Sequence, residues 1–357
     1  PGMSQGQRDA ELTVRVKAEA EALGFARAGV AEAGRLDEEG AHLDAWLGAG
    51  HHGQMSWMAE TAPVRKDPRD PRMLENAKSV VVMAAPYLRR NAYQGPPPSR
   101  VAKYALGRDY HNVLTKKSRK VARLLQEAGF AARVAVDSKP VFERAWAERA
   151  GVGFIGKNCC IIVPGLGSHA FLACVVTTAP LTTDAPMGRR CGSCTLCLEA
   201  CPTRAFTGPR SLDARKCISY LTIEHRGPIP VAQRQALGPW VFGCDVCQDV
   251  CPYNHTSGAT EGSLEAFEPR DRWDGLEVAR FLEMSEEELR AWAEGSPVKR
   301  AQPEGLARNA ALVLGNRGHE AHLRVLEGAR RNHPSEVVRE AADWGATELR
   351  RRLAAAT

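Results

Sequence analysis

Apolar residues at Leu12, Val16, Ala20 and Leu23 fall on one helical face, and Gly24 follows as a stop, so the chain opens on an amphipathic helix. SVVVMAAPYL (79–88) is apolar without a break, the pattern of a strand covered on both sides. KSRKVARLLQEAGF (117–130) returns to helical spacing, and ARVAVD (132–137) predicts a strand whose last residue is an acid. Ser138 then caps a predicted helix through PVFERAWAERA, which Gly151 ends. NCCIIV (158–163) and HAFLACVVTT (169–178) predict two further strands, joined by the turn PGLG (164–167). Residues 3–186 therefore read as one α/β domain.

The pattern changes abruptly at 187. Residues 187–260 hold eight of the eleven cysteines and little apolar periodicity, so ligands rather than a core should organise them. Residues 261–357 form a third, all-α region, helical throughout from 276. LARNAALVLGNRG (306–318) is echoed by VREAADWGATELR (338–350), which sets Arg308 with Arg339, Ala310 with Ala341 and Ala311 with Ala342. That period of 31 residues predicts two helical hairpins of HEAT type.

Composition narrows the class. At 357 residues the chain fits two or three domains with substantial cores. No apolar run approaches the roughly 18 residues of a membrane span. The start has neither an apolar signal core nor a twin arginine, and Pro1 and Gly2 before Met3 resemble an expression scar. A cytoplasmic location without a membrane is expected, where free thiols must be ligands or reduced core residues. The net charge is +6, but it is unevenly spread: +9 over residues 1–260, −7 over 261–296 and +4 over 297–357. Two basic bodies around an acidic connector suggest polyanion contact, with solvated basic faces as the plainer reading.

The cysteines carry the chemistry. Cys191, Cys194, Cys197 and Cys201 before Pro202 form C-x2-C-x2-C-x3-C-P; Cys244, Cys247 and Cys251 precede Pro252, and Cys217 stands alone. In such arrays the cysteine after the x3 gap serves the neighbouring cluster. Two 4Fe-4S sets follow: Cys191, Cys194, Cys197 with Cys251, and Cys201, Cys217, Cys244 with Cys247. Paired C-x2-C elements also build zinc ribbons, but a third cysteine at the same spacing and a proline after the fourth do not belong to them. Cys159, Cys160 and Cys174 fall on predicted strands and read as reduced core cysteines.

A cluster moves electrons and needs a destination. No Gly-x-Gly-x-x-Gly follows a predicted strand, so no dinucleotide site is indicated. DYHNVL (109–114) resembles the loop that gives a histidine ligand to cobalamin in mutases, yet Leu114 stands where the glycine belongs. His111 is instead read as a positioned surface or pocket histidine.

AVDSKPVFERAWAERAGVGFIGKN (135–158), CGSCTLCLEACPTRAF (191–206), RKCISYLT (215–222) and FGCDVCQDVCPYN (242–254) together resemble the epoxyqueuosine reductase family, in that family's order and over nearly the whole chain. The resemblance implies a nitroreductase-like α/β domain, a bacterial ferredoxin-like two-cluster module and a HEAT-like repeat domain. It implies cobalamin held without a histidine lower ligand and reduced through the clusters to a strong nucleophile or electron donor. The implied reaction converts epoxyqueuosine at the wobble position of tRNA to queuosine, by a monomer that takes electrons from a flavodoxin- or ferredoxin-type donor. Asp137 is implied as the proton donor, a role that requires burial or a nearby negative group to keep a proton on it at neutral pH. Arg65, Ala102, Asp137, Asn158, Ile161, Leu172, Ser219 and Asp245 are implied cobalamin contacts; Ala102 stands where some family members have a cysteine. His225 and Arg226 are implied tRNA contacts. Lys116, Lys117, Arg119, Lys120, Arg308, Arg317, Arg330 and Arg331 are further candidates for an RNA footprint. The rival readings are a corrinoid reductase of the dehalogenase type and an electron carrier with no chemistry of its own.

Overall fold

A computed structural model describes residues 3–89, 94–255, 262 and 264–356. Pro1, Gly2 and the expected domain boundary at 260–261 lie outside them.

The uninterrupted apolar run becomes the spine of the fold. Four strands, β1 (Arg27–Glu32), β2 (Ser79–Pro86), β3 (Ala132–Ala135) and β4 (Ala170–Thr177), form one sheet in the order β1-β2-β4-β3. Every neighbouring pair is antiparallel. All eight residues of β2 are buried because both faces are covered. On one face Val81, Met83 and Ala85 meet Leu12, Val16 and Ala20 of α1 (Gln5–Ala22) and Leu114, Val121 and Leu125 of α2 (Tyr110–Glu127). On the other, Val80, Val82 and Ala84 pack on Ala145 and Trp146 of α3 (Glu143–Arg149).

Three expectations shift. Helix α2 begins seven residues before the predicted start at 117, because Asp109 caps it by accepting the His111 N–H. Ser138 caps nothing: α3 starts at Glu143, and the Ser138 hydroxyl donates to the Val136 carbonyl. Cys159 and Cys160 are not on a strand; the expected strand 158–163 shrinks to Ile161–Ile162, paired with Phe154–Ile155. Cys174 does sit buried on β4.

The cysteine segment is stitched to the sheet domain at several points. Trp240–Phe242 runs parallel to Arg100–Val101, and the Ala102 N–H donates to the Phe242 carbonyl. Gly243, at φ +68°, follows; a Cβ there would lie 2.5 Å from that of Ala102, so the glycine permits the close approach. Helix α4 (Ile218–Ile223) then joins the helical C-terminal region of α5 (Gln302–Arg317), α6 (His322–Asn332) and α7 (Glu336–Ala356). Ala310 and Ala311 with Ala341 and Ala342, the echoed pairs, are all buried. Helices α5 and α7 pack so closely that a Cβ on Gly345 would lie 2.5 Å from the Ala311 carbonyl oxygen.

Arg308 departs from its expected role. It is 2% exposed, and its guanidinium donates to the carbonyls of Leu221, His225 and Gly227, clasping α4 to α5 rather than facing RNA. Part of the acidic excess is also local. Glu286, Glu287 and Glu288 fill the first turn of Glu286–Ala293, where negative charge offsets the helix dipole.

Candidate functional site

The eight cysteines fall into two groups. Cys191, Cys194, Cys197 and Cys251 line one small cavity together with Lys157, Asn158 and Tyr253. Burial raises the Cys197 thiol to about 11, and Cys251 and Cys191 add to it. In the second set burial raises the Cys244 thiol, and Cys217 and Cys201 push it further. Four thiols in each group match the ligand count of a 4Fe-4S cluster. The Ala205 N–H points at the Cys201 sulfur at 3.3 Å, and the backbone N–H groups of Tyr220 and Ser219 support Cys217. Ser219 thus reaches the second cysteine set through its backbone.

Contacts lead from these thiols around a ring. The Asn158 amide donates to the Cys247 carbonyl at 3.2 Å. Asp245, 2% exposed, accepts the Lys103 N–H at 2.8 Å, beside Ala102. Tyr104 packs edge-on against Tyr110 with ring centroids 5.9 Å apart, and the Tyr110 hydroxyl donates to Asp137 at 2.7 Å. From Asp137 the ring passes Glu143 and Arg144, whose guanidinium donates to the Cys159 carbonyl next to Asn158. Cys159 and Cys160 therefore lie in this wall, with Cys160 against Cys247, and not in the apolar core. Ile161 and Leu172 belong to the core cluster behind it.

The Asp137 arc of this ring carries a chain of hydrogen-bonded titratable side chains. The residue sits after β3 at φ +44°, a left-handed conformation that an aspartate adopts at a cost. His111 bridges two carboxylates: Nδ1 lies 2.7 Å from Asp109 and Nε2 lies 2.8 Å from Asp137. Burial lowers the His111 pKa, but the bonds to Asp109 and Asp137 outweigh it and lift the imidazole to about 9. Burial raises Asp137, yet the bonds from His111 and Tyr110 prevail and hold it below the usual carboxylate range. The condition expected for Asp137, a proton resident on it at neutral pH, is thus reversed in the free protein. Its side chain is 59% exposed although the surrounding wall desolvates the carboxylate, and the shifts place the mobile proton on His111. Behind the loop, burial and then the Asp137 charge push Glu143 up to about 8, so it is a neutral acid.

Two cations from beyond the sheet domain reach this arc. Lys299 Nζ lies 3.5 Å from Asp109, and Arg300 pairs with Glu224 in two bonds of 2.9 Å while feeling the charge of Asp137. His225 bonds the Pro228 carbonyl, and the Arg226 guanidinium donates to the carbonyls of Ile223 and Arg300.

Nothing in the sequence marks Tyr110, Glu143, Lys299 and Arg300 as site residues; His111, expected as a positioned surface or pocket histidine, stands in this wall. An Asp two residues before a His, at a helix start, was a signal for part of this; nothing local marked the cations.

The residues around the ring fit a large, amide-rich cofactor. Arg65, on Ala62–Lys66, is 7% exposed, and its guanidinium lies 5.4 Å from the Trp57 ring centre and 5.9 Å from that of Phe142. Only its Nε has an acceptor among the described residues, Thr61 Oγ1 at 2.9 Å. A buried cation with four N–H donors unpaired among the described residues, and a buried Glu143 Oε1 likewise unpaired, are groups that a ligand rich in amides would satisfy.

Fold and site together define a two-cluster iron–sulfur oxidoreductase whose cysteine segment is joined to the Asp109–His111–Asp137 chain by a ring of contacts. Residues 190–254 match the 4Fe-4S double cluster binding domain, and residues 65–138 match epoxyqueuosine reductase QueG, DUF1730. Over 346 residues the chain is 42% identical to an epoxyqueuosine reductase of Pseudomonas aeruginosa, covering 94% of each. It is 41% identical to that of Gloeobacter violaceus over 315 residues, 87% of this chain and 98% of the relative. A crystal structure of epoxyqueuosine reductase with an epoxyqueuosine-modified tRNA-Tyr stem loop superposes with a TM-score of 0.86 at 29% identity, covering 95% of this chain and 90% of that one. A Bacillus subtilis epoxyqueuosine reductase, whose aspartate-bearing catalytic loop is swung out of the active site, superposes at 0.85 with the same identity and coverage. The chain belongs to the epoxyqueuosine reductase family. Among the described residues, no helix is long and apolar enough to cross a membrane.

Proposed function

We propose that this protein is an epoxyqueuosine reductase: it removes the epoxide oxygen of epoxyqueuosine in the tRNA anticodon and leaves the alkene of queuosine. The observation that carries this reading is the Asp109–His111–Asp137 chain on a ring of contacts that also includes the second cysteine set.

The reaction takes an epoxide, two electrons and two protons to an alkene and water. Cobalamin bound in the ring, reduced through the two 4Fe-4S clusters, would supply the electrons. Arg65, Asn158, Ser219 and Asp245 would hold it with Ala102, Ile161 and Leu172, and Asp137 would stand at its substrate side. The rest falls to the protein's own groups. Asp137 delivers a proton to the epoxide oxygen and is recharged from His111, while Asp109 keeps the imidazole oriented. Substrate covering the open tip of Asp137 strips water from both groups, which raises the carboxyl and lowers the imidazole, and so favours that transfer. Tyr110 fixes the carboxylate, and Glu143 holds a second proton behind the loop.

We read the sheet domain as nitroreductase-like and the α5–α7 region as HEAT-like, with domains at 3–186, 187–260 and 261–357. The tRNA would bind across the first and last of these. Lys299 and Arg300 at the site rim, exposed Lys116, Arg119 and Lys120 on α2, and the His225–Arg226 loop support that path. We place the enzyme in the cytoplasm as a monomer, where its tRNA substrate is found.

The test is direct: reconstitute clusters and cobalamin anaerobically, add dithionite and epoxyqueuosine-bearing tRNA, and analyse nucleosides. Queuosine is expected; its absence from fully loaded protein would sink the assignment.

A further inference from the structure

Electrons must enter from outside, and the first cysteine set lies against the surface. Its cavity is walled by Leu196, which is 48% exposed and stands among only five large apolar side chains so placed among the described residues. Leu196 opens the short helix Leu196–Glu199 between two cluster ligands, where a polar residue would cost nothing in packing. A leucine held in water over a cluster cavity calls for another partner.

Arginines outnumber acids along the ligand segment. Arg190 precedes the ligand Cys191, and its carbonyl accepts from Tyr253, which lines the same cavity. The Arg204 N–H donates to the Cys201 carbonyl. The Arg210 N–H donates to the carbonyl of Lys157, whose Nζ clamps the carbonyls of Gly192 and Cys194 at 2.7 and 2.9 Å. Arg190 and Arg204 are thus held next to cluster ligands, and Arg210 is tied to the ligand loop through Lys157. None has a carboxylate partner among the described residues, whereas Arg189 is taken by Glu38 and Glu148. The nearby acid Glu199 is tied to the Thr195 hydroxyl.

We propose that this face, with Leu196 at its centre and Arg190, Arg204 and Arg210 on its rim, docks an acidic one-electron carrier protein that reduces the first cluster. The proposal rests on the reductase reading above. Each encounter oxidises the carrier by one electron and reduces the cluster by one, so two encounters supply one turnover. The protons enter separately, at Asp137. Electron-transfer encounters are small, below about 1,200 Å², and need fast association more than affinity. An apolar centre with a rim of one charge meets that need. An RNA backbone would also be drawn to three arginines, but phosphate contacts have no use for an exposed leucine above a thiol cavity.

The experiment uses the reconstituted full chain and photoreduced flavodoxin as the probe, followed by stopped flow. Reversing the rim with Arg190→Glu, Arg204→Glu and Arg210→Glu together should slow reduction by flavodoxin about tenfold or more and flatten its salt dependence. In the unaltered protein, rising ionic strength should slow the same step. Dithionite-driven turnover and the KM for tRNA should stay as they were. An unchanged flavodoxin rate overturns the proposal, and so does a loss matched by a raised KM for tRNA, which would assign the face to RNA. If the triple variant binds less iron, Arg210→Glu alone gives the same comparison with an effect of about two- to threefold. Failure of dithionite-driven turnover in the unaltered protein would strike the reductase reading instead.

Discussion

Strand β2 and the loop at 191–204 obey opposite rules. Every residue of β2 is buried and its neighbours are apolar on both faces, while not one residue of 191–204 is buried. The strand is held by area removed from water, and it needs no ligand to find its place. The loop has almost nothing to bury, so its conformation depends on what its thiols hold. The acid–base chain stands between the two regimes. Asp137 follows a strand of the sheet, but its hydrogen-bond partners form the wall that leads to the second cysteine set.

Iron removal should split the two regions most strongly. Anaerobic chelation is expected to abolish turnover and to expose the amides of 191–204 to hydrogen exchange while 79–86 and 170–177 keep their protection. Equal loss of protection in both would break the contrast. The next effect should separate chemistry from both frameworks: Asp137→Asn is expected to cut turnover roughly 10²- to 10⁴-fold, with iron content and melting temperature unchanged. A smaller change should come from titrating His111. Its pKa is raised above the ordinary 6.5, so its proton is present through neutral pH and is lost as pH rises through about 9. kcat/KM should fall across that range, and His111→Asn should lower it about tenfold and remove the alkaline limb from its pH profile.

The apolar side of the contrast is tested where helices α5 and α7 touch. Gly345→Val forces a Cβ against the Ala311 carbonyl and should cost about 1–3 kcal/mol in thermal or denaturant unfolding. The visible and EPR spectra of the clusters should not change; altered cluster spectra would mean that the two frameworks are mechanically coupled. The smallest effect is expected from Lys116→Glu with Lys120→Glu, which should raise the KM for tRNA a few-fold and reduce its salt dependence, leaving turnover at saturation intact.

Much of the architecture was legible because it rests on local chemistry. Leu12, Val16, Ala20 and Leu23 announced α1, the run at 79–88 announced the central strand, and cysteine spacing with two prolines announced both clusters. The site was legible only in part. Asp137 was found through the family's motif, but the downward shift of its pKa in the free protein was not legible, because His111 lies 26 positions away and its bond to Asp137 exists only once α2 is folded against β3. The echo at 308 and 339 was real as packing for the alanines. It misled for the arginine, because Arg308 meets three carbonyls of a segment more than 80 positions away.

By itself the sequence determined which atoms can bind iron, which stretches must be buried and which family the chain belongs to, since ligand spacing and apolar periodicity are short-range properties of a backbone. Only the tertiary structure decided where protons and charges reside. A pKa or an ion pair depends on distances of a few ångströms between groups that the chain keeps far apart, and folding alone brings His111 to Asp137, Lys299 to Asp109 and Arg300 to Glu224.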